Sequence, residues 1–570
     1  MDGRGLFGKS ARGLSGPAGQ RSGRGHTDRA AIVGDPNASA QPQEVRTSGV
    51  YHGTWWRQHE DEWDPLEEDR LGTVAAGRFT RLFPEYRTQF TQHDLVALAH
   101  AMTADPEPPV PEGDPDPEED PVITAAYTYL GQFTDHDLTF DPTSRLREAL
   151  TDQQLDALAD FRTPRFDLDN LYGRGPDDQP YLYAQDGIRM LLGKAMRGNS
   201  LDPYPHDLPR GPNHRALIGD PRNDENRIVA QLHSIFLRFH NKVADYLARP
   251  DQLGTKISFE AVRNQVRWHY QWLLVTDFLR MVINNETYQR IFADPYYPTP
   301  TLPELRDGLR LMPVEFSAAA FRFGHSMIRP EYRLNQRIPR RPLFLPEDDD
   351  AAHADDPADL RGFRPIPSDW AIDWRFFIDL EPGPKPRAVD PARPQPQKAY
   401  KIDTSLANPL GDLPRQIASH PKILALRNLK RGVVFRLPTG QQVARALKEQ
   451  PIPDDELVIG KATEDQDKLP TLKDIAPGCA NRAPLWAYIL SEAQVTSRDR
   501  AGDGGSPDSF PVKLGPVGGR IVADVFAALL RGDPTSYLHQ GAPFKPIPDF
   551  ARGERFGLAE LINAALRSKQ

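Results

Sequence analysis

Four polar side chains occur together in the segment GQFTDHDL, residues 131–138, and their spacing divides them between two sites. On a helix, residues four apart share a face, so Gln132 and His136 would face one site, with Asp135 at its edge. Asp137 points about 100° away from His136 and would face a second site. A single histidine on a helix is more often structural, but four polar groups beside aromatic residues are costly to bury without a purpose. Imidazole exchanges a proton near neutral pH, so the first site has a group suited to proton transfer.

Oxygen donors recur at alternate positions in the segment TPRFDLDNLYG, residues 163–173. Thr163, Asp167 and Asp169 can turn the same way, with the main-chain carbonyl of Arg165 between them. Hard cations take about six to eight oxygen ligands of this kind. The glycine and the closing glutamate of an EF-hand are absent. The pattern therefore indicates a cation loop of another kind, and the alternative is a capped turn.

Two further segments combine polar residues with a predicted helix. The segment GDPRNDEN, residues 219–226, precedes the strongest helical pattern in the chain and could be a polar turn with an N-terminal cap. The segment FRFGHSMI, residues 321–328, places Gly324 beside His325, where a small residue would let a flat ring approach the imidazole. The alternative for His325 is a histidine packed in the core. The residues alone leave both interpretations open.

The elements that must position these segments are mostly helical. Residues 227–247 carry apolar side chains along one face and predict an amphipathic helix, and helical spacing begins at Ile123 before the first segment. Residues 104–121 are acidic and proline-rich, so helix cannot persist there. Residues 330–400 are rich in proline and aspartate and predict a long surface excursion. Further helices are predicted at 257–283, 315–328, 374–380, 414–425, 440–448, 482–493 and 519–531.

These patterns predict a mainly α fold with long irregular loops and little β structure. Residues 1–50 lack apolar periodicity and are rich in glycine and arginine, which predicts a disordered tail. We expect residues 51–570 to form one large domain. The 56 prolines fit long irregular connections rather than long strands.

Composition excludes several functional classes. The net charge of −9 argues against nucleic acid or an anionic membrane as the main partner. The single cysteine, Cys479, excludes an intrachain disulfide and a cysteine-ligated zinc or iron–sulfur site. No apolar run is long enough to span a membrane, and the first residues lack a signal-peptide pattern. We therefore expect a cytoplasmic protein, with non-classical secretion as the alternative and the oligomeric state open.

The segment at 131–138 resembles the distal helix of the animal haem peroxidase family, within the peroxidase–cyclooxygenase superfamily. The resemblance implies that His136 lies over the iron of haem b and that Gln132 lines the same cavity. It also implies that Asp135 can form an ester to the haem and that Asp137 binds calcium. The segment at 163–173 is similar to the calcium loop of the family. Its calcium ligands would be Thr163, Arg165 through its carbonyl, Asp167 and Asp169.

Three later segments continue the resemblance in chain order. The segment at 219–226 is similar to the family pattern G-D-x-R-x-x-E, which implies that Arg222 points into the distal cavity and that Glu225 can form a second haem ester. The segment at 321–328 resembles the proximal motif F-R-x-G-H, which implies that His325 is the axial iron ligand. The sequence LRNLKR at 426–431 points to Asn428 as the hydrogen-bond acceptor for His325. Asn226 replaces a methionine that some members bond to haem, so that bond cannot form here.

The resemblance implies a peroxidase that uses hydrogen peroxide to oxidise small organic donors, halide or thiocyanate through a ferryl intermediate. His136 would move the proton, with Arg222 stabilising the developing charge. A role in the response to oxidative stress is a further expectation. One alternative is a fatty-acid dioxygenase, which needs a tyrosine three residues before the proximal histidine, where this chain has Arg322. The other is a non-catalytic, calcium-stabilised binding module.

Overall fold

Helices are the main regular structure of the protein in the computed structural model, which describes most of residues 77–567. The undescribed positions in that range are 85–89, 107, 109, 112–115, 142–145, 147–149, 346–357, 382–393, 419 and 502–509. The tail predicted at 1–50 and the domain boundary that follows it lie outside the described residues. All described residues belong to one compact unit.

The helices vary from one turn to about six turns. The α-helices are Gln92–Ala101, Ala125–Leu138, Asp152–Ala157, Asp169–Tyr172, Arg227–Leu247, Phe259–Leu273, Leu279–Val282, Asn285–Phe292, Val314–Ala318, Leu424–Val434, Gly440–Ala446, Leu472–Ile475, Leu485–Ala501, Pro516–Gly532 and Leu558–Leu566. The 3-10 helices that matter for the site are Pro221–Asp224 and Ala320–His325. The predicted mainly α class is confirmed.

The strands are short and form three small sheets. Strands Gly77–Thr80, Ala159–Asp160 and Met312–Pro313 form a three-stranded sheet with Gly77–Thr80 in the centre, antiparallel to the second and parallel to the third. The strand Glu119–Thr124 pairs antiparallel with Lys398–Tyr400, and Glu331–Tyr332 pairs antiparallel with Arg341–Pro342. The described residues contain little β structure, as predicted.

The helix that carries His136, which we call the His136 helix, begins directly after the strand Glu119–Thr124. Ile123, predicted to be helical, lies in that strand, and the helix runs from Ala125 to Leu138. The first helical N–H groups have no partner within a helix. Here Ala125 N donates to Gln397 O at 3.0 Å, and Ala126 N donates to Phe377 O at 3.1 Å. The carbonyls of Phe377 and Gln397 therefore fix where the helix starts.

Residues 330–400 do not form the predicted surface excursion where the structure describes them. Leu334, Leu360 and Phe377 are fully buried, and Trp370 is nearly so. Regular structure among these described residues is limited to short strands and 3-10 helices, but the prolines did not keep the apolar residues between them out of the core. The expectation was wrong because proline content reports irregular backbone, which can be buried when its polar groups are paired.

Three predicted helices differ from the observed ones. At 374–380 the structure has only the 3-10 helix Trp374–Phe376. The helix at 315–328 is interrupted at Ala319, whose ψ of −70° follows a φ of −136°, and it continues as the 3-10 helix Ala320–His325. The helix at 414–425 is absent, because Pro414 and Pro421 remove backbone donors, and helix begins only at Leu424. The predicted helix at 227–247 is confirmed with both of its bounds.

Aromatic stacking fixes the His136 helix against the long helix Arg227–Leu247. The rings of Phe133 and Phe236 stack with centroids 4.4 Å apart and planes 8° apart. Tyr270, from the helix Phe259–Leu273, meets Phe236 edge-on at 5.8 Å. Both phenylalanines are completely buried. Close-packed aromatic rings of this kind hold helices at one separation, so they set the position of His136, which lies three residues beyond Phe133.

No helix among the described residues is both long and apolar enough to cross a bilayer.

Replacing Phe133 by alanine should lower the free energy of unfolding by about 3–5 kcal/mol, because a cavity replaces the stacked ring. Chemical denaturation of the two proteins measures the difference. Tyr297→Ala is the control, since Tyr297 is 73% exposed, and it should change stability by no more than about 0.5 kcal/mol. A loss at Phe133 as small as that of the control would contradict the role of the stack.

Candidate active site

One cavity collects side chains from both segments that contain a predicted site histidine. It encloses about 1250 Å³ of space between its walls, including its opening to solvent. Gln132, Asp135 and His136 come from the His136 helix, Glu225 from the segment at 219–226, and His325 from the 3-10 helix. The remaining wall is mainly apolar and includes Tyr129, Phe278, Phe323, Leu343, Phe344, Leu410, Leu413, Ile417 and Leu424. Such a cavity suits a largely apolar ligand with a few polar contacts.

His136 is buried and faces the cavity as a neutral imidazole. Burial, together with the charge of Arg222, lowers the pKa of His136 to about 3. Its Nδ1 lies 2.8 Å from Oδ1 of Asn223, and its Nε2 lies 3.7 Å from Oε1 of Glu225. Because an amide oxygen only accepts hydrogen bonds, this contact places the proton on Nδ1 and the lone pair on Nε2. The imidazole can therefore accept a proton on its cavity side.

Gln132 and Glu225 meet beside His136. The Gln132 Nε2 donates to Glu225 Oε1, and the Gln132 Oε1 accepts from Asn226 Nδ2 at 3.0 Å. Burial raises the pKa of the Glu225 carboxyl to about 7. Asn226 also caps the long helix, because its Oδ1 accepts from the N–H groups of Ile228 and Val229. The amide of Gln132 is thus fixed between two neighbours and presents one edge to the cavity.

Arg222 does not line this cavity. Its guanidinium pairs with Asp220, with Nη2 2.8 Å from Oδ2, and donates to the carbonyls of His136 at 3.1 Å and Thr139 at 2.7 Å. Carbonyls in the last turn of a helix lack partners within it and attract cations. Arg222 therefore caps the C-terminal end of the His136 helix. Arg222 therefore contacts His136 at its backbone carbonyl and not at its side chain in the cavity.

Asp220 links three segments of the site. Its carboxylate is completely buried and pairs with Arg222 and with Arg162, whose Nη2 lies 2.6 Å from Oδ2. Burial opposes ionisation of Asp220, but the two guanidinium groups outweigh it and hold its pKa well below the usual range. Arg162 also lies 3.6 Å from Oδ1 of Asp169. A single carboxylate thus joins the segment at 219–226 to the His136 helix and to the loop at 163–173.

Asn428, predicted to accept a hydrogen bond from His325, lies beside that imidazole but presents its donor Nδ2 to it. Nδ2 of Asn428 lies 2.8 Å from Nδ1 of His325, and Oδ1 of Asn428 accepts from Nη1 of Arg322 at 3.1 Å. Burial, and then the charge of Arg322, lowers the pKa of His325 to about 3. Gly324 lines the cavity, and a Cβ added there would meet no atom within 4 Å. A flat ligand could therefore lie close to the backbone beside His325.

Three carboxylates outside the cavity form the second site predicted from the sequence. Ligand oxygens of Asp137, Asp167 and Asp169 all lie within 4.8 Å of one another. Both carboxylate oxygens of Asp137 are buried without a hydrogen-bond partner, as is Oδ1 of Asp169. Burial and then the neighbouring carboxylates raise the pKa of Asp137, and burial raises that of Asp169 to about 7. Carboxylate oxygens buried without a hydrogen bond, as both oxygens of Asp137 are, suit a divalent cation with oxygen ligands.

The loop at 163–173 is shaped around these carboxylates. Thr163 donates from Oγ1 to Asp167 Oδ2 at 2.7 Å and from its backbone N to Asp169 Oδ2 at 3.1 Å. Leu168 between the two aspartates has a φ of 61°, a left-handed conformation that is unfavourable for leucine. Asn170 Nδ2 donates to the Phe133 carbonyl at 2.9 Å, which holds the loop to the His136 helix. The predicted carbonyl ligand of Arg165 stays a prediction.

Sequence reasoning missed the residues that contact the predicted ones. Asn223 lies 87 positions from His136, and its residue type carries no signal for that contact. His233, which contacts Asn223, and His240 are seven residues apart on the long helix, so they share a face, and both are completely buried. That spacing was a signal for buried, partnered histidines. Asp220 was visible only as one more polar residue of a turn.

Comparison with known proteins identifies related sequences. Residues 150–348 match the family model described as animal haem peroxidase. Thyroid peroxidase of Canis lupus familiaris is 30% identical over 136 residues, 23% of this chain and 13% of that protein. Eosinophil peroxidase of Mus musculus is 32% identical over 143 residues, 23% of this chain and 19% of that protein. Chorion peroxidase of Aedes aegypti is 27% identical over 205 residues, 33% and 24% of the two. The matches thus span less than a quarter of each relative.

Solved structures share the fold over nearly the whole chain. Peroxidase A from Dictyostelium discoideum aligns with a TM-score of 0.52 at 15% identity, over 87% of this chain and 94% of that one. A fatty acid alpha-dioxygenase from Oryza sativa aligns with a TM-score of 0.50 at 13% identity, over 91% and 85% of the two chains. At such identities the likeness shows the fold alone.

The three carboxylates predict how stability depends on pH when a chelator is present. A carboxyl whose pKa is raised by folding stabilises the folded state when protonated, and this contribution is lost as pH rises through the folded-state pKa. With the pKa of Asp169 at about 7, the melting temperature should fall as pH is raised from about 6 to 8. Asp137→Asn should flatten this dependence and raise the melting temperature at pH 8.

The control is Asp307→Asn, which makes the same change of charge at an exposed carboxylate. It should leave the slope of melting temperature against pH unchanged. Equal slopes in all three proteins would show that the cluster does not affect stability.

Proposed function

We propose, because residues 150–348 match the animal haem peroxidase family model, that the protein is a haem-dependent peroxidase that uses hydrogen peroxide. Its donors would be small organic molecules or an anion such as halide or thiocyanate, and peroxide consumption would contribute to the response to oxidative stress. The observation that supports this most is the single cavity lined by Gln132, His136 and His325. The relatives named above are peroxidases, but they align over too little of their length to carry an activity across.

The residues present fit haem b. The cavity is mainly apolar, His325 faces it, and Gly324 leaves open space beside the imidazole. Ligation by Nε2 of His325 would require a proton on Nδ1, and Asn428 would then have to present Oδ1 to that proton. Because Oδ1 of Asn428 now accepts from Nη1 of Arg322, turning the amide would require the Arg322 guanidinium to shift as well. Asp135 and Glu225 also line the cavity, which supports them as the two carboxylates that could form esters to haem. Haem would supply the electrons that reduce peroxide and the oxidising equivalents passed to the donor.

His136 would move the proton. A neutral imidazole with a lone pair on Nε2 can take the proton of hydrogen peroxide there and return it to the oxygen that leaves as water. The lowered pKa of His136 keeps it neutral at physiological pH. Gln132, fixed by Glu225 and Asn226, would orient peroxide or an anionic donor through its amide. These groups supply placement and proton transfer.

Arg222 would act on this chemistry through its charge and through the helix end that it caps. Its guanidinium donates to the His136 carbonyl, so its positive charge lies next to the residue that holds the proton. Positive charge close to a developing anion lowers the barrier in a site that excludes water. Direct contact of Arg222 with peroxide is not needed for this role.

The three carboxylates would hold calcium. Asp137, Asp167 and Asp169 supply oxygen ligands, and the oxygens without partners are the ones that a cation would satisfy. Thr163 and the Arg165 carbonyl would complete the set. Because calcium needs ionised carboxylates, added calcium should raise the melting temperature more at pH 8 than at pH 6.

A fatty-acid dioxygenase is the second candidate, since that activity occurs on the same fold. The position three residues before His325 is Arg322, whose Nε donates to the Ser317 carbonyl at 2.9 Å. A guanidinium cannot supply the phenol radical that the tyrosine provides in the dioxygenases. The peroxidase is therefore the better-supported function.

Replacing His136 by glutamine tests the proton-transfer role. The second-order rate constant for reaction of the haem-loaded protein with hydrogen peroxide should fall by about 10²–10⁴-fold. Haem binding should be retained, because the proposed axial ligand is His325. Stopped-flow absorbance of the Soret band measures the rate, and titration with haem measures binding. His100→Gln, at an exposed histidine, is the control and should behave like the parent.

Several outcomes would contradict the proposed function. Failure of the parent chain to bind haem, or haem binding that survives unchanged in His325→Ala, would reject the assigned cavity and ligand. A haem-loaded protein that ignores peroxide but consumes oxygen with a fatty acid would favour the dioxygenase.

Enlarging Gly324 should obstruct haem without disturbing the fold. A Cβ at this position meets no protein atom within 4 Å, so Gly324→Val should keep the melting temperature of the cofactor-free chain. Its added methyl groups would occupy the space beside His325, and haem affinity should fall at least about tenfold, a loss of about 1.4 kcal/mol. Gly541→Val, at an exposed glycine with open space around it, should bind haem normally. Equal haem affinity in both variants would show that no ring approaches Gly324.

A further inference from the structure

Two completely buried side chains form a bridge behind His136. Oδ1 of Asn223 lies 2.8 Å from Nδ1 of His136, and Nδ2 of Asn223 lies 3.1 Å from Nδ1 of His233. Asn223 and His233 are both 0% exposed, and His136 is 5% exposed. One amide therefore joins the imidazole of the cavity to a second imidazole on the long helix, and neither contact is reached by solvent.

The two ends of the amide are not equivalent. An amide oxygen only accepts hydrogen bonds and an amide nitrogen only donates them. With Oδ1 towards His136, the proton of that imidazole is on Nδ1 and its lone pair is on Nε2. With Nδ2 towards His233, the lone pair of the second imidazole is on Nδ1. The bridge thus gives each imidazole one tautomer.

We propose that Asn223 is a positioning residue that holds His136 in the tautomer with a lone pair on Nε2, and that His233, at the other end of the same amide, has its tautomer coupled to that of His136. The inference rests on the proposed function for its consequence, since only that tautomer can take a proton from peroxide. The backbone around Asn223 supports the placement. Asn223 N donates to the Asp220 carbonyl at 3.1 Å within the 3-10 helix Pro221–Asp224.

Reversal of the amide would disable the site. Nδ2 of Asn223 would then donate to Nδ1 of His136, which would move the His136 proton to Nε2, on the cavity side. The reversal would also move the His233 proton from Nε2 to Nδ1, because Oδ1 of Asn223 would then face Nδ1 of His233. Since Nε2 of His233 is buried without a hydrogen-bond partner, His233 changes tautomer together with the amide, and it makes no contact with the cavity.

The tautomer of His136 can be observed directly. The full-length protein labelled with ¹⁵N-histidine is loaded with zinc protoporphyrin, a diamagnetic analogue of haem, and its imidazole nitrogens are recorded by NMR with and without the porphyrin. His136→Gln identifies the signals. The expected result is a protonated Nδ1 and an unprotonated Nε2 at His136. A protonated Nε2 in both states would overturn the proposal.

Variants separate orientation from packing. Asn223→Leu removes the acceptor and should release the tautomer and slow the reaction with peroxide by about 10- to 100-fold. Asn223→Asp keeps an oxygen towards Nδ1 and should restore both. His233→Phe leaves His136 and Asn223 intact but removes the hydrogen-bond partner of Asn223 Nδ2, so the amide should take both orientations and both tautomers of His136 should appear.

The matched control is His240→Phe. It makes the same change at an equally buried histidine, seven residues further along the same face of the long helix. Its ring contacts Tyr172 and the Ile188 carbonyl, away from the bridge. It should leave the tautomer of His136 unchanged. Equal effects of His233→Phe and His240→Phe, or an unchanged tautomer in Asn223→Leu, would show that these side chains only pack beside His136 and do not set its tautomer.

Failure of the proposed function and failure of this inference give different results. A chain that binds no porphyrin or ignores peroxide would contradict the peroxidase, yet the porphyrin-free spectrum would still report the tautomer of His136. A chain with the expected reactivity but a protonated Nε2 at His136 would overturn the bridge alone.

Discussion

The ion pairs of Asp220 are the interaction on which the rest of the site depends. A fully buried carboxylate is tolerated only when cations and hydrogen bonds compensate for the lost hydration. Arg162 and Arg222 provide this compensation, and each reaches on to another segment. Arg222 holds the end of the His136 helix, and Arg162 approaches the carboxylate loop. Removing one member would leave a buried charge and would disturb both neighbours together.

The eight residues at 219–226 combine several structural tasks in very little chain. The 3-10 helix Pro221–Asp224 is only four residues long, and residues before, within and after it contact different neighbours. Asp220 faces the guanidinium pair, Asn223 faces the two imidazoles, and Glu225 faces the cavity. Asn226 starts the long helix and at the same time fixes the amide of Gln132. Most residues of this short segment are polar, so in the sequence it resembles an ordinary polar turn.

Local patterns predicted the local parts of the structure. The long helix, the common face of Gln132 and His136, and the pairing of Asp167 with Asp169 in one loop follow from helical and alternating spacing. Asp137 joins these two aspartates in one cluster. The cluster spans some thirty positions, and only the family resemblance connected its two parts. The direction of Arg222 was not predictable, because it depends on a burial of Asp220 that composition does not reveal. The break at Ala319 and the buried course of residues 330–400 depend likewise on tertiary contacts.

Asp137 directly follows His136 on the same helix, yet the two side chains belong to different sites. A helix turn is stiff, so a ligand that fixes one of these side chains restricts the other. Binding at two sites that share such an element is thermodynamically linked, and the linkage is reciprocal. A cation that orders Asp137 would tighten binding in the cavity by some factor, and occupancy of the cavity would tighten cation binding by that same factor. The cation and the ligand of the cavity would thus bind with positive cooperativity.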